Sequence, residues 1–255
     1  MIFSNTSSYM LKYQKAKAKL VEYDIPNEAY PKFPLNSNEL SYPVVYILSR
    51  YAESVIENNA VDREEFAPYL GVASQYFDAA VGAKDRTAYD IDFLLSGAAA
   101  YFLSDNFGSA KVLCSEYFER NDPDTTAPQK IMGNFLGYLL LNRELHINND
   151  TPTGEKLCCS LLAYYTSGKK PEEIQNILLE YRKEAYAHDN PMEIYFVDIL
   201  YAVVIVALSR SAWSLLPRYS GVDLSLWSEY LKSQNAPRML WPAQQLIGEK
   251  GILSG

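Results

Sequence analysis

The 255-residue sequence predicts an all-α protein of about ten helices arranged in antiparallel hairpins. Three observations carry this. Apolar residues recur at helical spacing along most of the chain. No segment sustains the alternation of a half-buried strand. Prolines, acidic pairs and glycines fall where such helices should start and stop. Hydrophobic residues make up 48% and charged residues 21%, a composition that supports a sizeable core and argues against general disorder.

Taken in order, the first helix is expected over about residues 8–23. A passage with Pro26, Pro31, Pro34 and Pro43 follows; it reads as an extended connector, with Pro43 in the first turn of the next helix, where a missing N–H costs nothing. That helix carries Val44, Ile47, Leu48, Tyr51, Ala52, Val55 and Ile56 on one face. Asp62 and Glu65 have capping-pair spacing and open a helix with Phe66, Tyr69, Leu70, Ala73, Tyr76, Phe77 and Ala80. A helix with Ile91, Leu94, Leu95, Ala98, Ala99, Tyr101 and Phe102 stops at the turn 104–108. Its partner holds Ala110, Leu113, Cys114, Tyr117 and Phe118 and ends at Asp122-Pro123-Asp124.

Further helices are expected over about 127–141, 154–165 and 171–187. The last is marked by Pro171 and the acidic first turn Glu172-Glu173. Asn190-Pro191 opens a strongly apolar helix through Leu208, Pro217 to Gly221 breaks the pattern, and a short helix covers about 224–231. The run from Ile194 to Leu208 is shorter than the roughly 20 apolar residues of a membrane span and is interrupted by Asp198, so it reads as a buried central helix.

The hairpin around residues 91–118 resembles a tetratricopeptide repeat. Ala98 takes the small position of the first helix, Tyr101 the aromatic three residues later, Phe107 the turn aromatic and Ala110 the small residue of the second helix. No second copy occurs at a 34-residue period, so the resemblance implies an irregular tetratricopeptide-like bundle rather than a regular array.

Several chemistries lack material. The net charge of −8 opposes binding of a polyanion through the whole domain. Lys12, Lys15, Lys17 and Lys19 spread around a helix as a solvated face does. The 21 tyrosines fit either half-buried positions between thin helical layers or a stacking surface for nucleic acid. Cys114, Cys158 and Cys159 sit in apolar helical stretches and read as buried free thiols of a reducing compartment. With His146 and His188 the only histidines, no metal-ligand spacing occurs. No phosphate-binding loop or nucleophile motif is found, and the carboxylate pairs sit at helix starts, so no catalytic residue is assigned. The N-terminus, with no basic segment before an apolar stretch, does not read as a secretory signal; the expected location is cytoplasmic.

The segment Leu240 to Gly255 resembles the opening of the motor core in superfamily 2 helicases of the DEAD/DEAH-box, Ski-like type. Leu240, Pro242 and Gln244 match its first part; Gly251, Ile252, Leu253 and Gly255 match its second. The resemblance implies a helical accessory domain over residues 1–236 and the truncated start of a motor core over 237–255. It implies an adenine-reading role for Gln244, with Trp241 and Pro242 beside it, in an intact parent that binds ATP and Mg. The stretch 94–103, Trp227 and the Leu216-Pro217 break resemble helical N-terminal regions of bacterial helicases linked to phage defence.

The expected function is thus a non-catalytic accessory or regulatory domain of an ATP-dependent helicase, partnered by its own motor core or a companion protein. It should bind nucleic acid weakly and engage no membrane. The alternative is a self-contained helical scaffold that binds a protein partner. The apolar C-terminal segment is expected to fold back on the helical domain, anchored by Trp241, and its removal to lower the melting temperature only slightly.

Overall fold

Local signals fix most helix ends. In the computed structural model the described residues are 37–58, 70, 71, 73, 91–120, 125–147, 150–168, 171–233 and 236–252, with side chains from Ile47 onward. Among them are ten helices and no strand; one isolated bridge pairs Ser211 with Met239. The expected helix over 8–23 with its lysines, the connector from Pro26 to Pro34, and most of the helix opened by Asp62 lie outside the described residues. The chain divides into two compact units, Met1–Thr125 and Thr126–Gly255.

In the first unit, α1 spans Ser37–Asn58, so it begins before the expected connector ends. Pro43 lies in its second turn rather than its first. A proline there forgoes one backbone bond, to the carbonyl of residue 39, and the rest of the helix persists. Ile47, Leu48, Tyr51, Ala52 and Val55 are buried. Leu70 and Ala73 are helical and buried. α2 (Ile91–Leu103) is buried nearly all round, Asp92 being its one side chain outside the core. α3 spans Phe107–Arg120.

The α2–α3 hairpin matches its expectation closely. Ala98 and Ala110 are fully buried, so the helices approach without intervening side chains. Asp105 takes a left-handed backbone (φ 65°) in the turn, and Asn106 Oδ1 accepts from Ser109 N–H at 3.2 Å, capping α3. Phe107 opens α3 and stacks against Phe102 with ring centroids 5.4 Å apart.

In the second unit, α4 (Ala127–Leu140), α5 (Pro152–Ser167), α6 (Pro171–Ala187) and α7 (Pro191–Ser209) form a ring in which each packs on the next and α7 returns to α4. This is the arrangement that short connections impose on a four-helix bundle. α5 starts two residues earlier than expected because Thr151 accepts from Gly154 N–H as an N-cap and Pro152 follows at the first helical position. Asn190 caps α7 through bonds from Met192 and Glu193 N–H.

α7 is the one described helix long and apolar enough to cross a membrane, and two-thirds of it is buried inside this unit. Its Asp198 is neutralised: Arg182 Nε donates to one carboxylate oxygen at 2.6 Å and the Tyr186 hydroxyl to the other at 2.7 Å.

Next come α8 (Ala212–Ser220), α9 (Leu224–Leu231) and α10 (Pro242–Glu249). Pro217 lies inside α8, so the expected break from Pro217 to Gly221 falls at its Gly221 end. As with Pro43, it costs one early backbone bond, and the helix stops at Gly221 in a left-handed cap. α9 and α10 both pack on α8. The division between compact units falls at Thr125/Thr126 rather than at the expected 236/237 boundary. Residues 237–252 are tied to the second unit by backbone bonds from Leu240 N–H to Arg210 O and from Ala212 N–H to Arg238 O.

The cysteine expectation needs one correction. Cys114 and Cys158 are buried, but Cys159 is exposed. Neighbours on a helix point about 100° apart, and Cys158 falls on the buried stripe with Leu157, Leu161 and Tyr165 whereas Cys159 falls outside it.

Candidate functional site

The residues expected to read a nucleotide lie at the start of α10. Pro242 occupies its first turn, and Gln244 Oε1 accepts from Trp241 N–H at 2.9 Å, so the Gln244 amide caps the helix. Trp241, Pro242 and Gln244 are all exposed. The neighbouring Gln245 is the buried one, donating through Nε2 to Leu240 O at 2.6 Å. Gly251 takes a left-handed conformation (φ 72°) after the helix, as its place in the sequence suggests. Leu253 and Gly255 lie outside the described residues.

The segment folds back, but Trp241 is not its anchor: the indole is 51% exposed. Met239, Leu240, Gln245 and Gly248 face inward instead. Helical phase explains this. Trp241 precedes the first turn, whereas Gln245 and Gly248, one turn apart, share the face toward α8. Gly248 lies so close to Tyr219 that an added Cβ would sit 2.1 Å from its ring.

The fold-back leaves apolar surface outside. Val222, Leu224, Leu226 and Tyr230 on or beside α9, and Trp241, Leu246, Ile247 and Ile252 on or beside α10, are all exposed, Leu226 by 73%. Two helices resting on one support thus each turn large apolar side chains to solvent.

A second feature is a cavity of about 400 Å³ in the same unit. Tyr138 from α4, Leu162, Tyr165 and Thr166 from α5, Trp213 from α8 and Leu231 from α9 form much of its wall. Glu144 and Leu145 come from the α4–α5 loop, and Lys232, Ser233, Ala236, Pro237 and Arg238 contribute to the rim. Trp213 is fixed by an Nε1–H bond to Tyr165 O at 3.1 Å. Tyr138 and Tyr165 meet edge to face at 5.7 Å, and Tyr164 and Tyr165 at 5.1 Å.

Arg238 spans the cavity's edge. Its guanidinium lies 3.5 Å from the Tyr138 ring centroid, and Nη1 donates to the Tyr138 carbonyl, one of the last carbonyls of α4. A cation there also complements the negative end of the helix dipole. Neither Arg238 nor Lys232 has a carboxylate partner among the described residues. Burial pushes the Tyr165 phenol well above its usual range, the neighbouring phenols add to this, and Arg238 opposes it. The Tyr165 hydroxyl is buried, with no hydrogen-bond partner among the described residues.

Among the described residues no cluster of histidine, cysteine and carboxylate side chains could hold a metal ion. No protein-family model matches the chain, and no curated protein or solved structure is detectably similar to it. Sequence reasoning missed the cavity because its walls come from five separated segments. The one local signal was the pair Tyr164-Tyr165, both of which are buried on α5.

Proposed function

We propose that this chain is a helical interaction module without catalysis of its own, docking a protein partner through the exposed apolar faces of α9 and α10. The observation that carries the reading is the group of eight exposed apolar side chains from Val222 to Ile252, borne by two helices on one support. Apolar surface of that kind is stabilised by association.

The finer form of the proposal makes the partner an ATP-dependent superfamily 2 helicase motor, either continuous with this chain or a companion protein. The likeness of Leu240–Gly255 to such a motor's opening supports it. ATP and Mg would belong to the motor, with Gln244 reading adenine beside Trp241 and Pro242. The Gln244 oxygen that caps α10 keeps a second lone pair, and its Nε2 keeps two donors, enough to address a base edge. The acidic balance goes with weak nucleic-acid binding by this module, and cytoplasmic residence and a role in phage defence complete the reading.

The test is site-specific photo-crosslinking in the native host from positions 226 and 247, with exposed position 156 on α5 as control. The expected result is one discrete adduct shared by 226 and 247 and absent from 156, its linked peptide belonging to an ATP-binding motor. A shared adduct to a protein without ATPase sequence retains the module and removes the helicase form. Adducts equal at all three positions, or none, overturn both.

A further inference from the structure

We infer that the cavity of the second unit is a binding site for a small amphipathic oxyanion, an aromatic or aliphatic body carrying a carboxylate or phosphate group. The site is distinct from the α9–α10 docking face and does not rest on that proposal.

The size fits. About 400 Å³ lies in the range of pockets that hold metabolite-sized molecules. The wall chemistry asks for an apolar body, since Tyr138, Leu162, Tyr165 and Trp213 present rings and an aliphatic side chain. The rim asks for negative charge. Among the described residues Arg238 donates to the Tyr138 carbonyl and also bonds the Tyr138 phenol, with its guanidinium carbon over the ring, which leaves further N–H donors of its five for a ligand. A guanidinium fixed in this way keeps a planar fork for two parallel bonds to an oxyanion, at little further ordering cost. Lys232 adds a second cation at the same rim. Among the described residues Glu144 is the one acid on the lining, and it makes no ion pair with either cation, so the local balance favours an anion.

Arg238 also caps α4, so its loss alters stability whether or not a ligand binds. The informative readout is therefore charge preference. The probes are 2-naphthoate and its neutral analogue 2-naphthamide, titrated by calorimetry into the full chain. The expected result is binding of the naphthoate with about a tenfold or greater preference over the amide, the scale of one or two charge-assisted bonds. Arg238→Gln should collapse that preference toward unity while leaving amide affinity nearly unchanged. Should that variant fail to fold, Lys232→Gln, at an exposed position, should reduce the preference two- to threefold. Leu162→Trp, which fills the cavity, should abolish binding of both probes. Absence of naphthoate binding at millimolar concentration overturns the proposal. So does a preference untouched by the rim variants, or binding that survives Leu162→Trp, which would place the probe on the α9–α10 face.

Discussion

Gly168 lies directly against the indole of Trp213: a Cβ added at Gly168 would come within 2.5 Å of the ring atom Cε3. The glycine ends α5 in a left-handed conformation (φ 67°), and the close approach seats Trp213 over the turn while its Nε1–H reaches Tyr165 O. Gly168→Ala therefore meets both a backbone penalty of about 1 kcal/mol and a steric clash with a buried ring. The expected loss is about 2–4 kcal/mol in urea unfolding, with a shift in Trp213 emission. A loss under about 1 kcal/mol would mean that the ring moves freely.

The tyrosines make the second unit sensitive to alkali. Burial is the leading cause that raises the Tyr138, Tyr164, Tyr165 and Tyr181 phenols above their ordinary range. In each case the folded state holds its phenolic proton more tightly than the unfolded chain. The associated stability is fully present below the unfolded value and is lost as pH rises through the folded values. The unfolding midpoint should hold level up to about pH 9.5 and fall above pH 10, with tyrosinate absorbance rising together with unfolding. Tyr165→Phe removes a buried hydroxyl without a partner among the described residues; its stability should be unchanged or higher by about 1 kcal/mol. A flat profile to pH 12 would contradict the first expectation and a clear loss in Tyr165→Phe the second.

Asp198 is tolerated on the most apolar helix because Arg182 and Tyr186 close on both of its oxygens. Arg182 also donates to the Tyr186 hydroxyl at 2.8 Å, completing a three-membered network. Asp198→Ala should cost about 2 kcal/mol. A double-mutant cycle with Arg182→Ala should give a coupling of about 1 kcal/mol, since both groups are only part-buried. Coupling indistinguishable from zero would reduce the network to a surface decoration.

Removal of residues 238–255 should cost more than the sequence alone suggests. Met239 and Leu240 are 4% and 3% exposed, and Leu240 bonds the backbone beside α8. Losing those two side chains at about 1.5–3 kcal/mol each should lower stability by several kcal/mol or unfold the second unit. Removal of 242–255 alone keeps both residues and should cost less. Equal small losses for the two deletions would return the segment to the status of an appendage.

Helix ends written in local chemistry were legible. α6 runs over the expected residues and α7 departs by one, because Pro171 and Asn190-Pro191 act within a single turn; α9 also runs over its expected residues, and the structure adds its cap, Asp223, which accepts from Ser225 N–H. Pro43 and Pro217 misled because a proline was weighed as a terminus, whereas near a helix start it removes one bond that packing can offset. The opposite fates of Cys158 and Cys159 follow from the phase of the apolar stripe through Leu157, Leu161 and Tyr165 and were readable in principle. The anchoring role of Met239 over Trp241 was not, since it depends on a bridge to Ser211 far back in the chain. The cavity was hidden for the same reason: Arg238 meets Tyr138, a hundred positions earlier in the chain.

That bridge between Ser211 and Met239 has a mechanical consequence. Tension entering from the C-terminal side first peels α10 from Tyr219 and then reaches the two backbone bonds that join Arg210 to Leu240 and Ala212 to Arg238. While they hold, the load passes straight to the end of α7, and α8 and α9 hang in an unstressed loop. When they break, that loop pays out as slack. A pulling trace should therefore contain a discrete length step for residues 211–239, after which the apolar face of α9 has lost its support.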